Sequence, residues 1–144
     1  MAGFTNPQAE YILENLLLVS SWTQPTTLYG LLGKSGTVPD DTGDIAQWDE
    51  PSGAAAYARL DVQHSAASWG LTTGTTSVTY KNGNALSYAT ATATWGEIAY
   101  FGIIEEETIG TGTVLMWGTM STPKTIDVDD QAIFAIDAIS ITLD

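Results

Sequence analysis

The stretch Ile133-Phe134-Ala135-Ile136-Asp137-Ala138-Ile139-Ser140-Ile141-Thr142-Leu143 decides how the chain is read. Ile139, Ile141 and Leu143 alternate with Ala138, Ser140 and Thr142, the period-two pattern of a strand with one buried face. Phe134 and Ile136 keep the same period on the opposite parity. The switch predicts a β-bulge near Asp137-Ala138, because one extra residue exchanges the two faces of a strand.

The same period recurs upstream. Residues 113–120 read as a hydrophobic strand, and residues 97–104 as another, dense in aromatic and β-branched side chains. Glu105-Glu106-Glu107 and Gly110-Thr111-Gly112 form a charged loop between them. In residues 88–95, Ala89, Ala91 and Ala93 alternate with Thr90, Thr92 and Thr94. That pattern predicts a strand with one face of small side chains, open to close approach by another layer. Asn82-Gly83 is the strongest turn signal in the chain. It predicts a hairpin between residues 78–80 and a strand starting near Ala85 or Leu86. In residues 57–62, Tyr57, Leu60 and Val62 are apolar, with Arg59 and Asp61 between them. Residues 26–32 form a short strand after Pro25. Residues 33–56, rich in Gly, Asp, Pro and Ser, read as a long surface loop.

One helix is expected over residues 6–19, with Asn6 as N-cap and Pro7 at the first helical position. Ile12, Leu16 and Val19, flanked by Leu13 and Leu17, make its apolar stripe. The stripe must be buried on the chain's own sheet, which is the favoured reading, or on a neighbouring subunit. About seven to nine strands joined by turns, with no βαβ alternation, predict an all-β fold. The architecture expected is an antiparallel, jelly-roll-like β-sandwich with one short N-terminal helix. Residues 1–144 are read as one domain, with the sandwich over residues 26–144.

Composition narrows the function. Seventeen acidic residues stand against four basic ones (Lys34, Arg59, Lys81, Lys124), a formal net charge of −13. Such a surface repels nucleic-acid phosphates and anionic membranes alike, so neither is an expected partner. The apolar run from Leu16 to Val19 is too short to span a bilayer. No basic n-region marks a signal peptide, so synthesis in a host cytoplasm is expected. The absence of cysteine removes thiol chemistry, disulfides and zinc–thiolate sites.

Catalytic patterns are sparse. His64 is the one histidine, and no G-x-S-x-G elbow is present. Gly33-Lys34-Ser35 copies only the tail of a phosphate-binding loop and reads as a turn. Asp40, Asp41 and Asp44, and again Asp127, Asp129 and Asp130, are clustered oxygen ligands of a kind that suits Ca²⁺, but the full calcium-loop pattern is missing. They read as solvated turn carboxylates, so no cofactor and no metal is expected. Of the five tryptophans, Trp95 and Trp117 sit in strand patterns and read as core. Trp48 and Trp69 lie in or near loops and are divided between satellite core and contact surface.

Three segments carry a family resemblance. They are Ala93-Thr94-Trp95-Gly96-Glu97-Ile98-Ala99-Tyr100-Phe101-Gly102-Ile103, Gly112-Thr113-Val114-Leu115-Met116-Trp117-Gly118, and Pro123-Lys124-Thr125-Ile126-Asp127-Val128-Asp129-Asp130. Together with Ala56-Tyr57-Ala58-Arg59 and Pro25-Thr26-Thr27-Leu28-Tyr29-Gly30-Leu31-Leu32, they resemble a family of small tailed-bacteriophage virion proteins, often labelled tail fibre-like. The resemblance implies a non-enzymatic virion component on a β-sandwich, present in many copies. The expected role is a capsid decoration (cement) protein on the outer surface of the virion, bound to the major capsid protein or other virion proteins. A tail-tip, baseplate or fibre component is the alternative, and a carbohydrate-binding module the alternative of another class. Self-association as a dimer or trimer is expected. The candidate interface residues are Ile12, Leu16, Trp48, Trp69, Ile139 and Ile141.

Overall fold

The computed structural model describes residues 3–18, 23, 25–62, 65, 67–73 and 77–143. In chain order the elements are β1 (Gly3–Phe4), α1 (Asn6–Leu17), β2 (Tyr29–Lys34), β3 (Leu60–Asp61), β4 (Trp69–Thr73) and β5 (Val78–Asn82). They continue with β6 (Leu86–Ser87), β7 (Gly96–Ile104), β8 (Val114–Ile126), β9 (Ile133–Phe134) and β10 (Ser140–Leu143). The strands form three antiparallel sheets, ordered β1-β8-β7-β2-β3, β10-β5-β4 and β6-β9. The protein is an all-β sandwich with one helix near its N-terminus, as the hydrophobic period predicts.

The five-stranded sheet is buried on both faces, which is why β7 reads as a nearly continuous apolar run. One face carries Leu32, Ile98, Phe101 and Ile103. It packs against Tyr57, Val62, Leu86, Tyr88, Trp95 and Ile139, with Phe134 and Ile141 at the margin. The other face carries Leu31, Ala99, Tyr100, Ile104, Val114 and Trp117, and Trp48 closes over it. The long segment over residues 33–56 is therefore not a plain surface loop. It begins inside β2, holds two 3-10 turns (Ile45–Gln47 and Gly53–Ala55), and buries Trp48 and Pro51.

Several sequence-based expectations are corrected. Asn82-Gly83 closes no hairpin: β5 pairs with β4 and β10, whereas β6 pairs with β9. Asn82 is instead buried, and its side chain holds three backbone groups. Its amide donates to the carbonyls of Asn84 and Ala135, each at 2.8 Å, and its Oδ1 accepts from Ile139 N at 2.7 Å. The Ala/Thr run over residues 88–95 forms no strand. Ala91 is buried while Ala89 and Ala93 are exposed, and the backbone bonds outward to Ala132, Asp130 and Ala55. The parity switch near Asp137 is real, but its cause is a turn between strands of two different sheets rather than a bulge. Asp137 takes a positive φ of 64° there, and Ala138 N donates to Ala135 O. Residues 57–62 contribute only the two-residue β3, and Arg59 is buried.

β8 runs further than expected. It continues past Thr119 to Ile126 by slipping its register against β7: Tyr100 faces Thr119, but Ile98 faces Lys124. Pro123 lies in that slip, where a missing ladder donor is tolerated. The helix starts at Asn6, as expected, but its N-cap is Thr5 instead of Asn6, and it ends at Leu17. The Thr5 hydroxyl is turned to the sheet and donates to Val114 O at 2.7 Å, and the Asn6 amide donates to Asp41 O. Val19, Trp22, His64 and Thr76 lie outside the described residues.

Candidate functional site

The strongest polar cluster in the fold is sealed. Arg59 and Glu50 form a two-pronged ion pair, with Nε donating to Oε2 at 3.0 Å and Nη2 donating to Oε1. Their side chains are 0% and 5% exposed, which leaves no approach for a substrate. Arg59 Nη1 donates to the carbonyls of Glu106 and Thr111, each at 2.8 Å, and so ties down the acidic loop between β7 and β8. The Tyr57 hydroxyl donates to Glu50 Oε2 and accepts from Leu32 N. Burial, then the Glu50 charge, pushes the Tyr57 phenol far above its ordinary range, and burial does the same to Tyr88. Perturbed groups mark a functional site when they line a cleft. These instead pin loops to the sheet from inside. The signal that could have found them was the lone arginine set in an apolar alternation.

The acidic clusters serve as local caps. Asp40 accepts from the backbone and hydroxyl of Thr42, which lowers its pKa. Asp44 caps the 3-10 turn through Ala46 N, and Asp41 accepts from Trp117 Nε1 at 3.2 Å. Asp130 accepts from Asp127 N, and Asp127 from the Thr94 hydroxyl. Among the described residues, no three acidic or histidine side chains are grouped to hold a metal ion. No helix among them is long and apolar enough to cross a membrane.

What the fold leaves unfinished is apolar surface. Gln8, Ile12 and Leu16 lie one above another on a single i, i+4 row of α1. Their exposure climbs from 5% to 39% to 75%. The helix is seated on β8 at its base and its exposure rises along its length, so no strand among the described residues covers its apolar stripe. Leu13, Leu17 and Leu18 are also exposed. The favoured expectation, that the stripe is buried on the chain's own sheet, is thus overturned. A run of large exposed aliphatics on one short helix is the kind of patch that marks a protein contact.

Beside the helix base lies a cleft of about 530 Å³. Its walls are Phe4 of β1, Phe101 and Ile103 of β7, Met116 and Met120 of β8, and Ile139 and Ile141 near the C-terminus. In the sheet β10-β5-β4, Leu71, Val78 and Tyr80 are exposed as well.

The six candidate interface residues therefore separate. Ile12 and Leu16 are exposed on α1, whereas Ile139 and Ile141 line the cleft, Ile139 with its side chain packed into the core. Trp48 is a core residue, one of the two readings open for it, laid over the sheet against Gly33 and Gly102. Trp69 is half-buried against the other core cluster and donates its indole N–H to Val62 O.

A family model described as podophage GP4 fiber I protein gp80 matches residues 3–142, and the chain belongs to that family. No curated protein matches it.

Proposed function

We propose that this member of the podophage fiber I family is a non-enzymatic subunit of a virion fibre that works by packing against neighbouring virion proteins. The observation that carries this reading is α1, whose aliphatic side chains leave the body instead of covering it. Burial of such side chains is worth roughly 1.5–3 kcal/mol each, so a free α1 is a strong drive to associate. The rest of the fold suits a rigid part: a sheet covered on both faces, with a buried ion pair used as a loop clamp.

Head decoration through the major capsid protein is the second reading. The net charge of −13 favours a place on the outside of a shell, away from packaged nucleic acid. Electron microscopy of the assembled particle separates the two. Density for this sandwich in appendages around the tail supports the fibre subunit, and density repeated over the head lattice overturns it in favour of decoration.

A further inference from the structure

We infer that α1 of one copy seats in the cleft between β8 and β10 of a second copy of this chain. The inference rests on the reading of the chain as an assembling subunit and names the partner of α1.

The cleft and the helix match in chemistry. None of the described cleft-lining residues is charged, and its deep walls are Phe, Ile and Met. In a chain of net charge −13, this is a surface that a second copy can approach without meeting carboxylates. Its methionines suit an apolar helix, because flexible thioethers adapt to the side chains they meet. Helices dock in grooves of this kind through apolar anchors one turn apart, and Ile12 and Leu16 stand at that spacing.

The charges at the margins are complementary. Glu10 and Glu14 lie on α1, which carries no basic residue. Of the four basic side chains, Arg59 is committed to Glu50 and Lys34 to Asp49. The remaining two, Lys81 and Lys124, pair with no carboxylate among the described residues; neither lines the cleft itself, but Lys124 is on β8, which does, and Lys81 is on β5, beside β10. Lys81 sits directly opposite Ser140, a cleft residue, in the β5–β10 ladder. Lys124 lies three residues beyond Ser121, another cleft residue, on β8. The two unpaired lysines are thus available to the glutamates of an incoming helix.

The helix cannot fill the cleft of its own chain. Phe4 already lines the cleft, and Thr5 and Asn6 fix the direction of exit through bonds to Val114, Leu115 and Asp41. Donor and acceptor surfaces therefore sit side by side on each copy, pointing apart. Such a pairing is reciprocal in a dimer and cyclic in a trimer.

The absence of cysteine from the chain makes the test direct. Leu16→Cys and Ser121→Cys are both changes at exposed positions. The two full-length variants, each checked for native circular dichroism, are mixed and oxidised. The expected result is a mixed Leu16→Cys/Ser121→Cys dimer as the main cross-linked species, since a disulfide forms only across a Cα separation of about 4.4–6.8 Å. The unmodified chain should run above its 15.3 kDa monomer mass, and Leu16→Asp should return it to that mass. A Leu16→Cys homodimer as the main product would show helix-to-helix pairing and overturn the inference. A monomeric unmodified chain would overturn it too. If Leu16 is needed for incorporation into particles while no Leu16–Ser121 linkage forms, the fibre reading stands and this partner is wrong.

Discussion

Gly102 leaves empty the space that the indole of Trp48 occupies: a Cβ at Gly102 would lie 2.8 Å from Trp48 Cη2. Gly33, on the neighbouring strand, makes the same allowance for the other ring edge, again at 2.8 Å. The two glycines form a flat seat in the sheet, and the tryptophan fastens the segment over residues 33–56 across it. Gly102→Ala is expected to cost about 1–3 kcal/mol by overpacking. Urea unfolding followed by tryptophan fluorescence checks this, and an unchanged midpoint contradicts the seat.

The Arg59–Glu50 pair is predicted to be costly to break on one side. Arg59→Met leaves Glu50 buried without its cation and frees the carbonyls of Glu106 and Thr111. The expected loss is about 3–5 kcal/mol. Glu50→Leu combined with Arg59→Met should recover much of it, because no charge is then left buried. Denaturant midpoints of the two single variants and the double variant test this, and simple additivity would contradict it.

Asn82→Leu is predicted to detach the turn between β9 and β10. Three backbone groups lose their partner together, and the buried one among them, Ile139 N, costs about 1–3 kcal/mol when left unsatisfied. Hydrogen exchange should show the amide of Ile139 losing protection first, while β7 and β2 stay protected. Uniform loss across the fold would contradict a local bracket.

Tyr57 and Tyr88 predict alkaline unfolding. Both phenols are raised above the ordinary value of 10.0 in the folded chain, chiefly by burial. The stability they contribute is fully present below pH 10.0 and falls as the pH rises beyond it, because the unfolded tyrosines ionise first. Part of the tyrosinate absorbance should therefore appear only together with loss of near-ultraviolet circular dichroism. Complete titration with the fold intact would contradict their burial.

The all-β class, the helix and the major strands were legible because period-two and period-3.6 patterns report directly on which face is covered. The β7 and β8 strands stood out for that reason, and Trp95 and Trp117 fell in the core as read. What failed were inferences that needed a partner strand. Asn82-Gly83 carries good turn chemistry, yet the tertiary bonds of Asn82 to Ala135 and Ile139 decide its role. The Ala/Thr run has a strand's period without a strand, because its backbone groups find partners in loops instead of a ladder. The stripe on α1 was visible as a stripe, but whether a sheet lies beneath it depends on where the helix leaves the body. That direction is set by Thr5 and Asn6 through contacts more than thirty residues away in sequence.

The account stands on α1 as a surface made for contact with other proteins of the particle. Its most direct test is incorporation of the double variant Leu16→Asp/Leu17→Asp into virions, measured by quantitative mass spectrometry of purified particles. The account predicts a chain that keeps its native circular dichroism, since both side chains are exposed on the single copy, and that is missing from the particles. Incorporation at the unmodified copy number would contradict it.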